Sequence, residues 1–418
     1  MKNQYIRYKL DPQKPWTLTL YLSGKRKTVK LTPPEIVHVS NEYCESLPVF
    51  NPDAGWNAPY AFKKLTTEEY WTEQGLVPGS VSICGKDGSV FCRGKDFECE
   101  ENWGSAGRSA DGRISENTPV LISYDFCQSR IDSIVQDRKG KIHVICGKPH
   151  GIIPKAPYIP SGWKLLINIY YSRHYDRLTE EMIYPVSKKH FSRLPGAGSA
   201  ETLLPETMDK LRNKKPLKIL AWGDSVTACG YIPDSHRWQI LFVNALRQKF
   251  QHDKIDLVHN GWGGRTSMDF LAEPEGSPYH FESQILNSDA DLIISEFVND
   301  CGASAERYVP AYEKILREFR NKGKEWIILT PHWILASWMG KSVKEVRQCK
   351  DDPRHFVQFL RTFSQQNKIC LADGSAKYAE WAEMGFPYMA CMTNGINHPD
   401  LRGMKLFAEA LLEVFPDK

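Results

Sequence analysis

The chain has 418 residues, 41% of them hydrophobic and 25% charged, with a formal net charge of +4. That balance is ordinary for a globular protein, supplies enough apolar material for two or three domains, and is too weakly basic to imply a nucleic-acid partner. No apolar run approaches the ~20 residues of a membrane helix, so no membrane partner is expected.

The amino-terminal stretch, residues 1–9, lacks the apolar core of a signal peptide. The chain therefore reads as cytoplasmic, or as secreted if a leader has been removed. Up to about residue 205, Pro and Gly punctuate short alternating or β-branched runs at 16–22, 80–84, 119–124 and 164–171, which predict strands. Gly140 separates the run at 133–136 from that at 142–146, a hairpin pattern. Residues 1–205 thus predict a β-rich, sandwich-like domain. The Gly/Ala/Ser-rich stretch 194–200 reads as a linker, followed by a short helix over 205–212.

From residue 206 the pattern changes. Strand-like runs at 219–222, 256–259, 292–295, 326–329 and 369–371 alternate with helical segments at 238–250, 305–321, 353–366, 377–384 and 402–415. This alternation predicts a parallel sheet with helices on both faces, a flavodoxin-like three-layer α/β domain over 206–418. The 11 cysteines include no C-x-x-C pair, which suits reduced thiols better than disulfides or a zinc site. Cys229 reads as a small buried residue. No H-E-x-x-H, Walker loop or G-x-G-x-x-G occurs, so neither a metal nor another cofactor is expected.

Four segments of this half carry candidate chemistry. The apolar run at 219–222 halts at Gly223-Asp224-Ser225, which places a serine at the carboxyl end of a parallel strand, where α/β sheets bind ligands. The next segment, Asn260-Gly261-Trp262-Gly263-Gly264-Arg265-Thr266, crowds three glycines into four positions. A third run ends in Asn299-Asp300. Finally, Asn397-His398-Pro399-Asp400 presents a histidine in a turn before a helix. Serine needs a neighbouring base to act as a nucleophile, and histidine suits that task.

In order and type, Ser225, Gly264, Asn299 and His398 resemble the four blocks of the SGNH branch of the GDSL hydrolases, over roughly residues 215–415. The resemblance implies Ser225 as nucleophile and His398 as base. It implies an oxyanion hole built from the Ser225 and Gly264 backbone N–H groups and the Asn299 side-chain amide. There are two departures. Phe297 stands where that family often has glycine, and Gly395 stands where an aspartate usually orients the histidine. A backbone carbonyl, Asn394, Asp373 or Asp400 is then left to hold His398.

The function expected is a serine esterase forming an acyl-serine intermediate, removing an acyl and preferably an acetyl group from a carbohydrate. Trp262 and Trp333 are candidate sugar contacts, and the partner is a small-molecule or oligosaccharide ester. The alternatives are an acyltransferase using the same serine and histidine, or a degenerate, non-catalytic carbohydrate-binding protein. Sequence leaves the oligomeric state open.

Overall fold

The computed structural model describes residues 6–55, 58–66, 73–187, 199–348 and 352–416. The chain divides into two units, Met1–Lys189 with Ala382–Asn397, and His190–Trp381 with His398–Lys418. Most of the 194–200 stretch read as a linker lies outside the described residues.

The first unit is antiparallel throughout its sheets. Strands β1 (Arg7–Leu10), β2 (Thr17–Leu22) and β3 (Lys25–Lys30) form a meander. Next come β4 (Ile36–Cys44), β5 (Ser82–Gly85), β6 (Val90–Phe91), the pair β7 (Phe97–Glu100) and β8 (Ser105–Arg108), and β9 (Val120–Cys127). Of these, β4, β9, β5 and β6 make a four-stranded sheet in that order. A second four-stranded sheet, ordered β11-β10-β12-β13, comprises β10 (Arg130–Gln136), β11 (Ile142–Ile145), β12 (Lys164–Tyr171) and β13 (Ile183–Pro185). The β10–β11 hairpin turns at Gly140, as its sequence pattern predicts.

Two apolar cores hold this unit. In one, Leu18, Leu20 and Val29 of the meander meet Ile134, Ile167, Ile169 and Ile183 of the second four-stranded sheet. In the other, Ile83, Ile122 and Tyr124 pack with Phe62, Phe97 and Ala106. The β-rich half is therefore built on two separate clusters, each assembled from inward-facing alternate residues.

The second unit opens with α1 (Ala200–Leu203) and α2 (Pro205–Arg212) and then alternates strand with helix. In chain order these are β14 (Leu217–Gly223), α3 (Ser225–Ala228), α4 (Trp238–Phe250), β15 (Ile255–Gly261), α5 (Ser267–Ala272), β16 (Leu292–Glu296), α6 (Ala305–Asn321), β17 (Glu325–Leu329), α7 (Val343–Gln348), α8 (His355–Asn367), β18 (Cys370–Ala372), α9 (Gly374–Glu383) and α10 (Leu401–Glu413). All strand pairs are parallel, in the order β15-β14-β16-β17-β18. This is the doubly wound α/β architecture expected from the alternation. Central strands such as β14 and β16 are buried on both faces, which is why they read as unbroken apolar runs.

One core of this unit surrounds Trp222. Phe270, Phe281, Phe297 and Phe319 lie with ring centroids 5.0 to 6.2 Å from it. Phe297, which replaces the glycine common in the resembling family, is 2% exposed and meets Trp222 edge-on. Its place is thus explained by packing. Among the described residues no helix is long and apolar enough to cross a membrane.

Candidate active site

The strand order reverses at β14. The chain leaves it for β15 on one side, and β16 lies on the other. Connections that depart in opposite directions open a crevice at the strands' carboxyl ends. Ser225 follows β14 there, Gly264 follows β15, and Asn299 follows β16.

Local contacts hold the three loops in register. Asp224, the cap of α3, accepts from Val226 N at 3.0 Å through Oδ1 and from Asn299 N at 2.9 Å through Oδ2. One buried carboxylate thereby ties the serine turn to the asparagine turn. At Gly261 a Cβ would stand 2.2 Å from Ala228 N, so only glycine lets the second loop approach the serine turn this closely. A Cβ on Gly263 would sit 3.9 Å from that of Ser225. Gly264 follows with φ +74°.

Ser225 Oγ lies 2.9 Å from His398 Nε2, within hydrogen-bond reach for proton transfer. The imidazole stacks on the Tyr231 ring, with centroids 4.3 Å apart and planes 6° from parallel. Asn299 Nδ2 donates to Arg265 O at 3.1 Å, which leaves its second N–H for another acceptor. A serine, an imidazole within hydrogen-bond reach of it and an amide donor on the adjoining loop are the residue types that nucleophilic acyl transfer calls for.

Three buried carboxylates underlie these loops. Burial pushes Asp224 up to about 6, against the N–H bonds it accepts. Burial also pushes Asp300 up to about 7, although it accepts from Ser267 N and Oγ at 2.9 and 2.6 Å. Glu296, the last residue of β16, rises well above the ordinary glutamate value through burial and the nearby Asp224 and Asp300 charges. Among the described residues, neither of its carboxylate oxygens meets a donor. A buried carboxyl without donors is held in its neutral form.

Of the other sequence candidates, Asp373, Asp400 and Trp333 have partners elsewhere. Asp373 accepts from Arg361 (2.9 and 3.1 Å), Thr330 Oγ1 (2.9 Å) and Ala376 N (3.0 Å), so it braces a helix start and does not orient His398. The Asp400 carboxylate caps α10, accepting from Arg402 N through Oδ1 and from Arg402 Nε through Oδ2, each at 2.8 Å, so it too has another task. Asn394 Oδ1 accepts from the Ile396 and Asn397 amides at 2.9 Å, and Nδ2 donates to Asn397 Oδ1. Its oxygen is used in shaping the turn.

Trp333 is 1% exposed and donates to Ser375 Oγ at 3.1 Å, so it is a core residue and not the sugar contact expected. Trp262 is half-buried beside the serine turn, its N–H bonding Gly223 O at 2.9 Å. Its ring stacks flat on Tyr279 at 4.3 Å and carries Arg265 at 4.9 Å from its centroid. Both faces are covered, and neither is open to a sugar ring. Cys229 is fully buried. Sequence reading missed Tyr231, which nothing in its local pattern marks. It also missed the bridging role of Asp224, visible only as a letter of the Gly-Asp-Ser block.

No family model matches the chain, and no curated protein matches it. Among solved structures, a member of the lipolytic G-D-S-L family from Veillonella parvula aligns with 48% of this chain and 98% of its own, at 20% identity and a TM-score of 0.37. A GDSL-like lipase from Parabacteroides merdae aligns with 48% of this chain and 95% of its own, at 18% identity and a TM-score of 0.38. A two-domain esterase active on acetylated mannans, solved with mannopentaose, aligns with 51% of this chain and 53% of its own, at 17% identity and a TM-score of 0.39. The chain is similar to GDSL/SGNH hydrolases over about half its length. At such identities activity does not transfer, and the reaction has to follow from the side chains themselves.

Proposed function

We propose that this protein is a serine ester hydrolase that removes an acyl group, foremost acetyl, from a polar alcohol of the carbohydrate class. The observation that carries this reading is the 2.9 Å contact between Ser225 Oγ and His398 Nε2 at the carboxyl end of β14. His398 takes the serine proton as Oγ attacks the ester carbonyl. The imidazolium then returns that proton to the departing alcohol, leaving an acyl-serine. Water, deprotonated by His398, hydrolyses this intermediate and restores the serine. The Ser225 and Gly264 N–H groups and the free Asn299 amide hydrogen are the donors for the oxyanion. The polar alcohol is supported by the loop after β15, whose exposed residues Gly263, Gly264 and Arg265 offer backbone and a guanidinium and no apolar side chain.

Hydrolysis of 4-nitrophenyl acetate tests the reading. Ser225→Ala should abolish turnover while leaving the thermal midpoint nearly unchanged, and a serine-directed phosphonate should label Ser225 alone. Asn299→Ala should lower kcat by about a hundredfold, since an oxyanion donor acts mainly in the transition state. Full activity in the Ser225 variant, or labelling of another serine, overturns the assignment.

A further inference from the structure

The loop that supplies Gly264 also carries an arginine, Arg265, that meets no carboxylate among the described residues. Arg265 is exposed, and among the described residues no carboxylate lies within ion-pair distance of it. Arg237, Arg354 and Arg361 of this unit pair with Asp234 at 2.8 Å, Asp352 at 2.6 Å and Asp373 at 2.9 Å, whereas Arg247 and Arg320 bond only amide or carbonyl oxygens; Arg265 differs from these in standing beside the candidate oxyanion donors. The unpaired guanidinium is nonetheless held in place. Its central carbon lies 4.9 Å from the Trp262 ring centroid, and Trp262 is stacked flat on Tyr279 at 4.3 Å and 2°. A ring covered on one face by an aromatic partner receives a cation on the other, so the three side chains form one layered stack.

The backbone of Arg265 is fixed as well. Its N–H donates to Trp262 O at 3.3 Å and its carbonyl accepts from Asn299 Nδ2 at 3.1 Å. Arg265 therefore stands directly between two of the groups assigned to the oxyanion hole, adjacent in sequence to Gly264 and bonded to Asn299. A guanidinium presents a planar fork of N–H donors that matches a carboxylate in two parallel hydrogen bonds, and its weak hydration suits it to an interface with a ligand. A cation oriented by stacking has also given up its side-chain freedom before the ligand arrives.

We infer that Arg265 selects esters that carry a carboxylate near the scissile bond, such as an acylated acidic sugar. This assignment rests on the ester-hydrolase reading and narrows its substrate class. The carboxylate can stand on the alcohol or the acyl part of the ester, and paired substrates separate the two. In the first pair, 4-acetoxybenzoate bears the charge on the alcohol part and its methyl ester is the neutral control. In the second, mono-4-nitrophenyl glutarate bears it on the acyl part, again with its methyl ester as control.

For the full-length protein at low salt, kcat/KM should favour the charged member of one pair by about tenfold, the size expected for a hydrogen-bonded charge pair. Raising the salt to about 1 M should erode the preference, because an exposed pair is screened. In Arg265→Gln the ratio should fall to about one, and Arg265→Lys should recover only part of it, since lysine keeps the charge and loses the fork. Turnover of all four esters with no preference in either pair, or a preference that survives in Arg265→Gln, overturns the role of Arg265 and leaves the hydrolase standing. Absence of turnover on these esters and on 4-nitrophenyl acetate overturns both.

Discussion

His398 has to be held in plane with Ser225 Oγ, yet the position three residues before it is glycine. The backbone explains why: Gly395 has φ +69°, a left-handed conformation that an aspartate adopts only at a cost. The side chain that does lie flat on the imidazole is Tyr231, at 4.3 Å and 6°. An aromatic face restricts rotation of the ring and attracts the positive charge that develops as the serine proton is taken, an effect of about 0.5 to 2 kcal/mol. On the proposed ester-hydrolase reading, Tyr231 is a positioning residue. Tyr231→Leu should lower kcat by about tenfold with KM nearly constant, and Tyr231→Phe should restore it, because the ring face and not the hydroxyl makes the contact. Equal losses in the two variants would remove the stack from the account.

At the scale of elements, β14 and β16 meet at the carboxyl edge, where Gly223 pairs with Glu296. The ends of such strands are where a burial pattern and a chemical pattern overlap. Continuous apolar runs made central strands such as β14 and β16 legible to within about two residues, because both faces are covered, while the edge strand β15, exposed at Asp256 and His259, carries a weaker pattern. The same runs say nothing about Glu296, which is buried near Asp224 and Asp300 with no donor to its carboxylate among the described residues. Its folded-state pKa lies above its unfolded value, so the stability it permits is fully present below the unfolded pKa and is lost as pH rises through the folded one. Asp224 and Asp300, pushed up to about 6 and about 7, act in the same direction. Glu296→Gln keeps the shape and removes the titration. Between about pH 5 and 8 the thermal midpoint of the variant should gain steadily on that of the wild type, with the wild type showing the steeper fall. Parallel curves would mean that Glu296 is not held neutral in the fold.

At the scale of the whole molecule, the legible part of the site was the part written as contiguous motifs: Gly-Asp-Ser around Ser225 and Asn-His-Pro around His398. What stayed hidden depended on contacts between distant segments. Trp333 and Trp262 carry the same letter, yet one is enclosed with Ser375 and the other is layered between Tyr279 and Arg265. No local periodicity shows that the first unit takes in Ala382–Asn397. Within that unit, Ser187 N donates to Glu383 O at 2.7 Å and Asn168 Nδ2 donates to Gly385 O at 2.8 Å. Asn168 is itself fully buried, and its Oδ1 accepts from Ser133 Oγ at 2.6 Å.

The segment anchored in this way ends at Asn397, one peptide bond before His398. Removing its anchor therefore has two consequences of different kinds. Asn168→Ala orphans the Ser133 hydroxyl and the Gly385 carbonyl in a buried setting, which should cost about 1 to 3 kcal/mol of stability. Release of the chain leading into His398 should also displace the imidazole, and a misplacement near 1 Å is enough to cost about a hundredfold in rate. The variant should lose kcat on 4-nitrophenyl acetate well below its own thermal midpoint, where it is fully folded. A drop in thermal midpoint with kcat unchanged would show that the anchor serves stability alone and that His398 is held without it.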